Sequence, residues 1–419
     1  MTDPRPLWEQ VPAETEIRGR IAALQAQLQA AQLDAAWILQ PADLYYFART
    51  AQQGLLVVPA AGEPLLRVRK SVDRARAESC FAAEPLPSYR HWPGMLAERG
   101  IASGAVGLEL DVLPAGEYLR MAKEFPATRF ADAAPAIRRL RQVKSPFEIA
   151  CLEEAGRRLA LALEHLRRTV RPGMDERAIS AEMEGALRRA GDPGHVRVRN
   201  WRAEVVNGVT AAGVSAAHPV AFDGPVGSVG SHPALPTGPG ARVLLPGEPL
   251  VVDVVASAGG YLVDVTRVFH AGVLPDHFRR GHDFIRELLA WLETQLRPGA
   301  VPADLYREAA ARAEAAGYGE VFMNRGGSKV GFIGHGIGLE LDEWPVLTDG
   351  WTEPLAAGMA VAVEPKLIFD DGGVGLENTY VIAESGLPRK FPVFDEDLIR
   401  LQDSPQRHKE HKPNLNAER

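Results

Sequence analysis

The chain has 419 residues, a formal net charge of -7 and 46% hydrophobic residues. That is an ordinary globular composition with room for two or three domains, and the acidic balance excludes the basic surface of a nucleic-acid-binding protein. Cys80 and Cys151 are its only cysteines and form no CxxC pair, which speaks against a thiolate zinc or redox site and suits a reducing cytoplasm. The start, Met1-Thr-Asp-Pro-Arg-Pro, carries no apolar signal core. No uninterrupted apolar run reaches the roughly 18 residues of a membrane span. The expected location is the cytoplasm, without membrane contact.

Near Thr15 a helix is expected, because Ile17, Ile21, Leu24 and Leu28 form one stripe. Strand-like runs follow at Ala35–Leu39, Gly54–Pro59 and Pro64–Val68, and mixed elements continue to about Ala134. Residues 1–135 read as an α/β domain without a catalytic cluster. Ser145-Pro146-Phe147-Glu148 is a capping box with Pro at the first helical position. The helix behind it has Ile149, Leu152, Leu159, Leu163, Leu166 and Val170 on one face and stops at Arg171-Pro172-Gly173. Asp175 caps a second helix. Residues 136–402 thus read as a second domain, and 403–419 as a polar tail.

The segment from Asp223 to Gly240 is rich in Gly and Pro but lacks GxxxxGK[ST] and a following helix. It suits a pocket mouth better than a phosphate loop. Further helices are expected over Phe278–Gln295 and Ala303–Ala316, and closing strands over Gly358–Phe369 and Gly373–Ile382.

Two hairpins carry acidic pairs. Pro249–Asp253 and Tyr261–Arg267 flank Gly259-Gly260. A turn centred between Ala258 and Gly259 puts Asp253 directly opposite Asp264. Like charges so placed repel by about 3 kcal/mol at an effective dielectric near 20, so a shared proton or a cation is required. In the second hairpin, Glu364 and Glu377 flank Asp370-Asp371-Gly372-Gly373. A turn centred between Asp370 and Asp371 sets them opposite each other, and one centred on Asp371-Gly372 makes them diagonal neighbours on the same face. Four carboxylates make a hard oxygen site, and His335, between glycines in a Gly-rich loop, tips it toward a transition metal.

These segments resemble the signature of the pita-bread metallohydrolases, the superfamily of creatinase, prolidase, aminopeptidase P and methionine aminopeptidase. The resemblance rests on Gly247–Asp253 with Gly259–Arg267, Gly334-His335-Gly336-Ile337-Gly338, Val363-Glu364-Pro365 and Leu376-Glu377-Asn378. It is strongest toward Xaa-Pro dipeptidase-like proteins. It implies an α+β fold: a C-terminal pita-bread domain behind an α/β creatinase-type N-terminal domain. It also implies two divalent ions, manganese first, with cobalt, zinc or iron as alternatives. Asp253, Asp264, His335, Glu364 and Glu377 would be the ligands. Glu364 would double as general base and acid, and Arg267 would brace the carboxylates from behind.

Two positions need separate comment. Relatives place a histidine near the scissile bond seven residues after the ligand histidine, where this chain has Asp342. Asp342 either faces the substrate or caps a loop. A further substrate-contacting histidine is matched by His232, with His218 as the competitor. The implied activity is proline-directed exopeptidase action on a small peptide, by a homodimer. The alternatives are a non-peptide C–N hydrolase of the creatinase or ectoine-hydrolase kind, acting on a small amide, and a non-catalytic binding protein.

Overall fold

The computed structural model describes residues 5–98, 104–200, 207–220 and 222–402. The expected polar tail lies outside these residues. Among them, no helix is long and apolar enough to cross a membrane.

The first part is a six-stranded sheet flanked by helices. Its strands are β1 (Ala35–Ile38), β2 (Gly54–Pro59), β3 (Leu65–Val68), β4 (Ala83–Pro85), β5 (Gly104–Leu108) and β6 (Thr128–Asp132), in the order β4-β3-β2-β1-β5-β6. The helices are α1 (Glu14–Ala30), α2 (Pro41–Ala48), α3 (Val72–Glu78), α4 (Trp92–Ala97), α5 (Ala115–Glu124) and α6 (Ala134–Gln142). Alternation along the strands builds two apolar faces. Trp37, Leu55 and Val57 pack with Trp92 and Phe125. Ile38, Leu56 and Val58 pack with Ile17, Leu24 and Leu28 of α1, the stripe legible in the sequence.

The second part opens with α7 (Pro146–Thr169), whose capping box is complete in both directions between Ser145 and Glu148. Next comes α8 (Glu176–Arg189), capped by the Asp175 side chain. Both precede the strands β7 (Gly208–Ala212), β8 (Pro249–Ala258) and β9 (Tyr261–His270). The unit then recurs: α9 (Asp276–Gln295) and α10 (Pro302–Ala315) precede β10 (Phe332–Gly336), β11 (Glu343–Thr348), β12 (Ala360–Val363), β13 (Lys366–Phe369), β14 (Gly372–Gly375), β15 (Asn378–Val381) and β16 (Arg389–Phe391). The last strand, β17 (Ile399–Arg400), returns to β9. The sheets run β17-β9-β8-β7 and β11-β10-β12-β15-β16, with β13-β14 as a separate ribbon. They are stitched together where Asp264 N donates to Thr379 Oγ1 (3.0 Å) and that hydroxyl donates to Asp264 O (3.1 Å). The α+β architecture expected from the sequence is present.

The first hairpin differs from the expected register. Ala258 pairs with Tyr261, so the turn is Gly259-Gly260, and Asp253 faces Thr266 while Asp264 faces Val255. Both turn residues have positive φ, 57° and 87°, the pair of values a two-residue type I′ turn requires and glycine accepts without strain. The aspartates are therefore diagonal neighbours, still on one face. The second hairpin takes the register centred between Asp370 and Asp371, one of the two considered, with Phe369 opposite Gly372 and Val363 opposite Asn378. Each expected closing strand is split, at Glu364-Pro365 and at Leu376-Glu377, so the glutamates sit at the break between two ladders.

Candidate metal centre

The structure gathers Asp253, Asp264, His335, Glu364 and Glu377 on the floor of one pocket. Two groups of ligand atoms lie within 4.8 Å of one another, Asp264-His335-Glu377 and Asp253-Glu364-Glu377, with Glu377 common to both. Asp264, His335, Glu364 and Glu377 are buried, and Asp253 is partly so.

His335 lies in strand β10, not in the loop its glycines suggested. Those glycines serve strand packing. A Cβ on Gly334 would meet Ala362 O at 2.3 Å, and one on Gly336 would meet Trp344 O at 2.2 Å. The pairing of β10 with β11 shifts register on either side of His335, and such irregularities re-aim a side chain. Nδ1 lies 3.0 Å from Gly336 O. A carbonyl only accepts, so Nδ1 carries a proton, and Nε2 is the nitrogen left to ligate a metal. That nitrogen faces Glu364 Oε1 at 3.8 Å and Glu377 Oε1 at 4.0 Å. Glu377 Oε1 is a buried oxygen with no hydrogen-bond partner among the described residues, and such an atom calls for a cation or donor. A lone-pair nitrogen, an unsatisfied carboxylate oxygen and two more carboxylates fit a divalent transition metal.

The electrostatics point the same way. Burial, with Glu377 and Asp253 close by, pushes the Asp264 carboxyl well above the usual range. Burial and then Glu364 raise Glu377, against the pull of Lys366. Burial would lower the His335 pKa, but Asp342, Glu364 and Glu377 together raise it. Buried, clustered acids of this kind call for compensating positive charge.

The second group is different. Lys366 is fully buried, and its Nζ lies 2.5 Å from Glu364 Oε2, 2.9 Å from Glu377 Oε2 and 3.1 Å from Asp253 Oδ2. Those oxygens have an ammonium among them, and they do not fit a second ion while it is there. The sequence reading passed over Lys366. Strand alternation was the available signal, since residue 366 shares a face with Glu364. Thr266 was passed over too: its hydroxyl donates to Glu377 Oε2 at 2.9 Å.

Arg267 makes its contacts behind the carboxylates, on the backbone. It donates to Thr266 O and Glu377 O (both 2.8 Å), Asp395 O (2.7 Å) and Asn378 Oδ1 (2.7 Å). It holds the backbone that carries Glu377, because its position on β9, opposite Val252, turns it away from the acidic face. Asp342 lines the pocket beside His335, with Oδ1 3.6 Å from Nδ1. Its φ of 61° is a left-handed conformation that Asp tolerates better than most residues. His232 is not brought to the pocket. It is exposed in a tight turn, where its Nδ1 accepts from Ala234 N at 3.1 Å. His218 is also exposed and also outside the pocket lining. The Gly- and Pro-rich segment does supply wall: Asp223, Gly224, Pro225, Val226 and Thr237, with Phe222 before it.

Comparison with known proteins agrees with this picture. Metallopeptidase family M24 matches residues 150–384, and the creatinase/prolidase N-terminal domain matches residues 20–143. The chain is 28% identical over 293 residues to an Xaa-Pro dipeptidase of Lactobacillus helveticus, covering 70% of this chain and 71% of that protein. It is 24% identical over 361 residues to an Xaa-Pro dipeptidase of Pyrococcus furiosus, covering 85% and 93%. The fold is shared with the Xaa-Pro dipeptidase from Bacillus anthracis at a TM-score of 0.78 and 23% identity, covering 92% of this chain and 100% of that one. The prolidase from Pyrococcus horikoshii gives 0.77 at 22%, covering 91% and 100%. The family match spans more than half of the chain: the protein is a member of metallopeptidase family M24 with a creatinase-type N-terminal domain.

Proposed function

We propose that the protein is a proline-directed exopeptidase, an Xaa-Pro dipeptidase or aminopeptidase, acting on short peptides. One observation carries this reading: the ligand cluster forms the floor of a pocket whose walls include Val209, Val220, Phe222, Pro225, Val226 and Leu341. Apolar walls over a polar floor suit a compact ring such as proline. Relatives at 28% and 24% identity that bear the name Xaa-Pro dipeptidase support it.

A bound divalent ion would supply Lewis-acid polarisation of the scissile carbonyl and a water acidic enough to ionise near neutral pH. Asp264, His335, Glu364 and Glu377 would hold it, with manganese the expected ion and cobalt, zinc or iron as alternatives. The remaining work falls to the chain. Glu364 reaches the pocket and takes the proton from the attacking water, then returns it to the leaving amine. Thr266 and Arg267 fix Glu377 from its side chain and its backbone. His232 enters only if its turn moves, so it has no assigned step. We place the enzyme in the cytoplasm, as a homodimer.

A second reading has its own support. Asp342 stands in the pocket where resemblance to peptidases implies a histidine, and an ionised carboxylate accepts hydrogen bonds but donates none. That favours a substrate with a donor at this point, such as a small amide or amidine, and hence a non-peptide C–N hydrolase. A hydrolysis screen of Xaa-Pro dipeptides, longer Xaa-Pro peptides and small amides or amidines, with Mn, Co and Zn added in turn, separates the two. Turnover confined to the amides would overturn the peptidase reading.

A further inference from the structure

We propose that the Lys366 ammonium stands in for a second metal ion, so that the protein holds one divalent ion where its acidic residues could suggest two. The inference rests on the reading of Asp264, His335, Glu364 and Glu377 as a metal centre.

The geometry is that of a built site. A lysine ammonium has three donors and accepts nothing. Here three carboxylate oxygens surround it, at 2.5, 2.9 and 3.1 Å, one each from Glu364, Glu377 and Asp253. Every donor has a partner, and the side chain is fully buried. Room for it comes from the facing strand. Gly375 pairs with Lys366, and a Cβ there would fall 2.3 Å from Lys366 Cγ and 2.9 Å from its Cβ. The lysine therefore lies over a glycine and runs to the carboxylates in a slot that a larger neighbour would close.

Glu377 divides its two oxygens between two cations. Oε2 accepts from Lys366 Nζ and Thr266 Oγ1, whereas Oε1 has no hydrogen-bond partner among the described residues and faces His335 Nε2. Charge counting agrees. One divalent ion and one ammonium offset three of the four carboxylate charges. A second divalent ion added to the lysine would make the centre net positive and set like charges side by side in a buried space, where repulsion is poorly screened.

The test is metal stoichiometry on the full-length chain. Protein stripped with a chelator, reloaded with excess MnCl2 and desalted should retain one manganese per chain by elemental analysis. Its Mn(II) electron paramagnetic resonance should be the six-line signal of an isolated ion. Lys366→Gly should raise the count to two and give the broadened signal of a spin-coupled pair. Two manganese ions per wild-type chain overturn the proposal, whatever the variant does, and leave the hydrolase reading intact. No retained manganese overturns both. A Lys366→Gly protein that keeps one isolated ion, with the wild-type melting curve, shows that the lysine does not exclude a second ion and also overturns it.

Discussion

Asp342 places a carboxylate oxygen 3.6 Å from Nδ1 of His335, on the opposite side of the imidazole from the nitrogen that faces Glu364 and Glu377. One residue thus borders both the pocket and the ring of the sole histidine in the cluster. Its substitution separates a role toward substrate from a role toward metal.

Asp342→His is expected to raise kcat/KM for an Xaa-Pro dipeptide about tenfold or more, a change of roughly 1.4 kcal/mol in the barrier. Histidine tolerates the left-handed backbone at this position. Manganese content should not change. Loss of metal from the variant would make Asp342 part of the metal centre, and unchanged kinetics would reduce it to a loop residue.

Glu377→Gln removes the carboxylate common to both groups of ligands. Manganese affinity should fall at least about a hundredfold, since a neutral amide is a poor ligand for a hard cation, and hydrolysis should fall with it. Isothermal titration with MnCl2 reads the first effect. Wild-type affinity in the variant would remove Glu377 from the centre.

Arg267→Met should destabilise the protein by about 3 kcal/mol or more. It strands the buried Glu377 carbonyl and the buried Asn378 side-chain oxygen, and each unsatisfied group costs about 1–3 kcal/mol. Metal affinity should drop about 10- to 100-fold, as it does when a group supporting a ligand is lost. Urea unfolding and metal titration measure the two separately. A stable variant with weakened metal binding would confine Arg267 to orienting Glu377.

A fourth expectation concerns acid. Burial would raise the Glu343 pKa, but Arg141 and Lys144 outweigh it and bring the carboxyl from 4.5 to about 2. A folded-state value below the unfolded one stabilises the fold above the unfolded value, and that stability is lost as pH falls through the folded value. The contribution is about 3 kcal/mol, complete above about pH 4.5 and gone below about pH 2. Glu343→Gln should therefore flatten the dependence of unfolding free energy on pH between those limits. It should also cost several kcal/mol at neutral pH, because buried Lys144 loses its carboxylate and buried Arg141 one of its three. An unaltered acid profile would place the dependence elsewhere.

The elements legible in the sequence were those marked by local rules. The capping box at Ser145, the Asp175 cap and the register of the second hairpin each follow from residues within a few positions of one another. The acidic cluster was legible because the acids fall in pairs on one face of each hairpin. Most misreadings arose where a distant segment decides. Gly334 and Gly336 suggested a loop, yet they are small because Ala362 O and Trp344 O press on the strand from either side. The first hairpin shifted by one residue at its turn because two adjacent positive-φ positions are needed. Lys366 looked like an ordinary charged residue until Gly375, Asp253 and Glu377 were brought around it.

The buried ion pairs between the two parts of the chain have a consequence for dissection. Asp43 of α2 is fully buried and holds Arg141 Nη1 at 2.7 Å and Arg199 Nη1 at 2.8 Å, and Arg141 continues to Glu340 and Glu343, which flank the pocket residue Asp342. Excising the N-terminal domain would remove Asp43 and Asp111 and leave Arg141 and Arg199 with only Glu340 and Glu343 between them, beside the loop that carries Asp342. The creatinase-type domain is therefore no detachable appendage: it is the counterweight that keeps that loop's charges in balance, and the isolated peptidase fragment would inherit a fault line at the rim of its own active site.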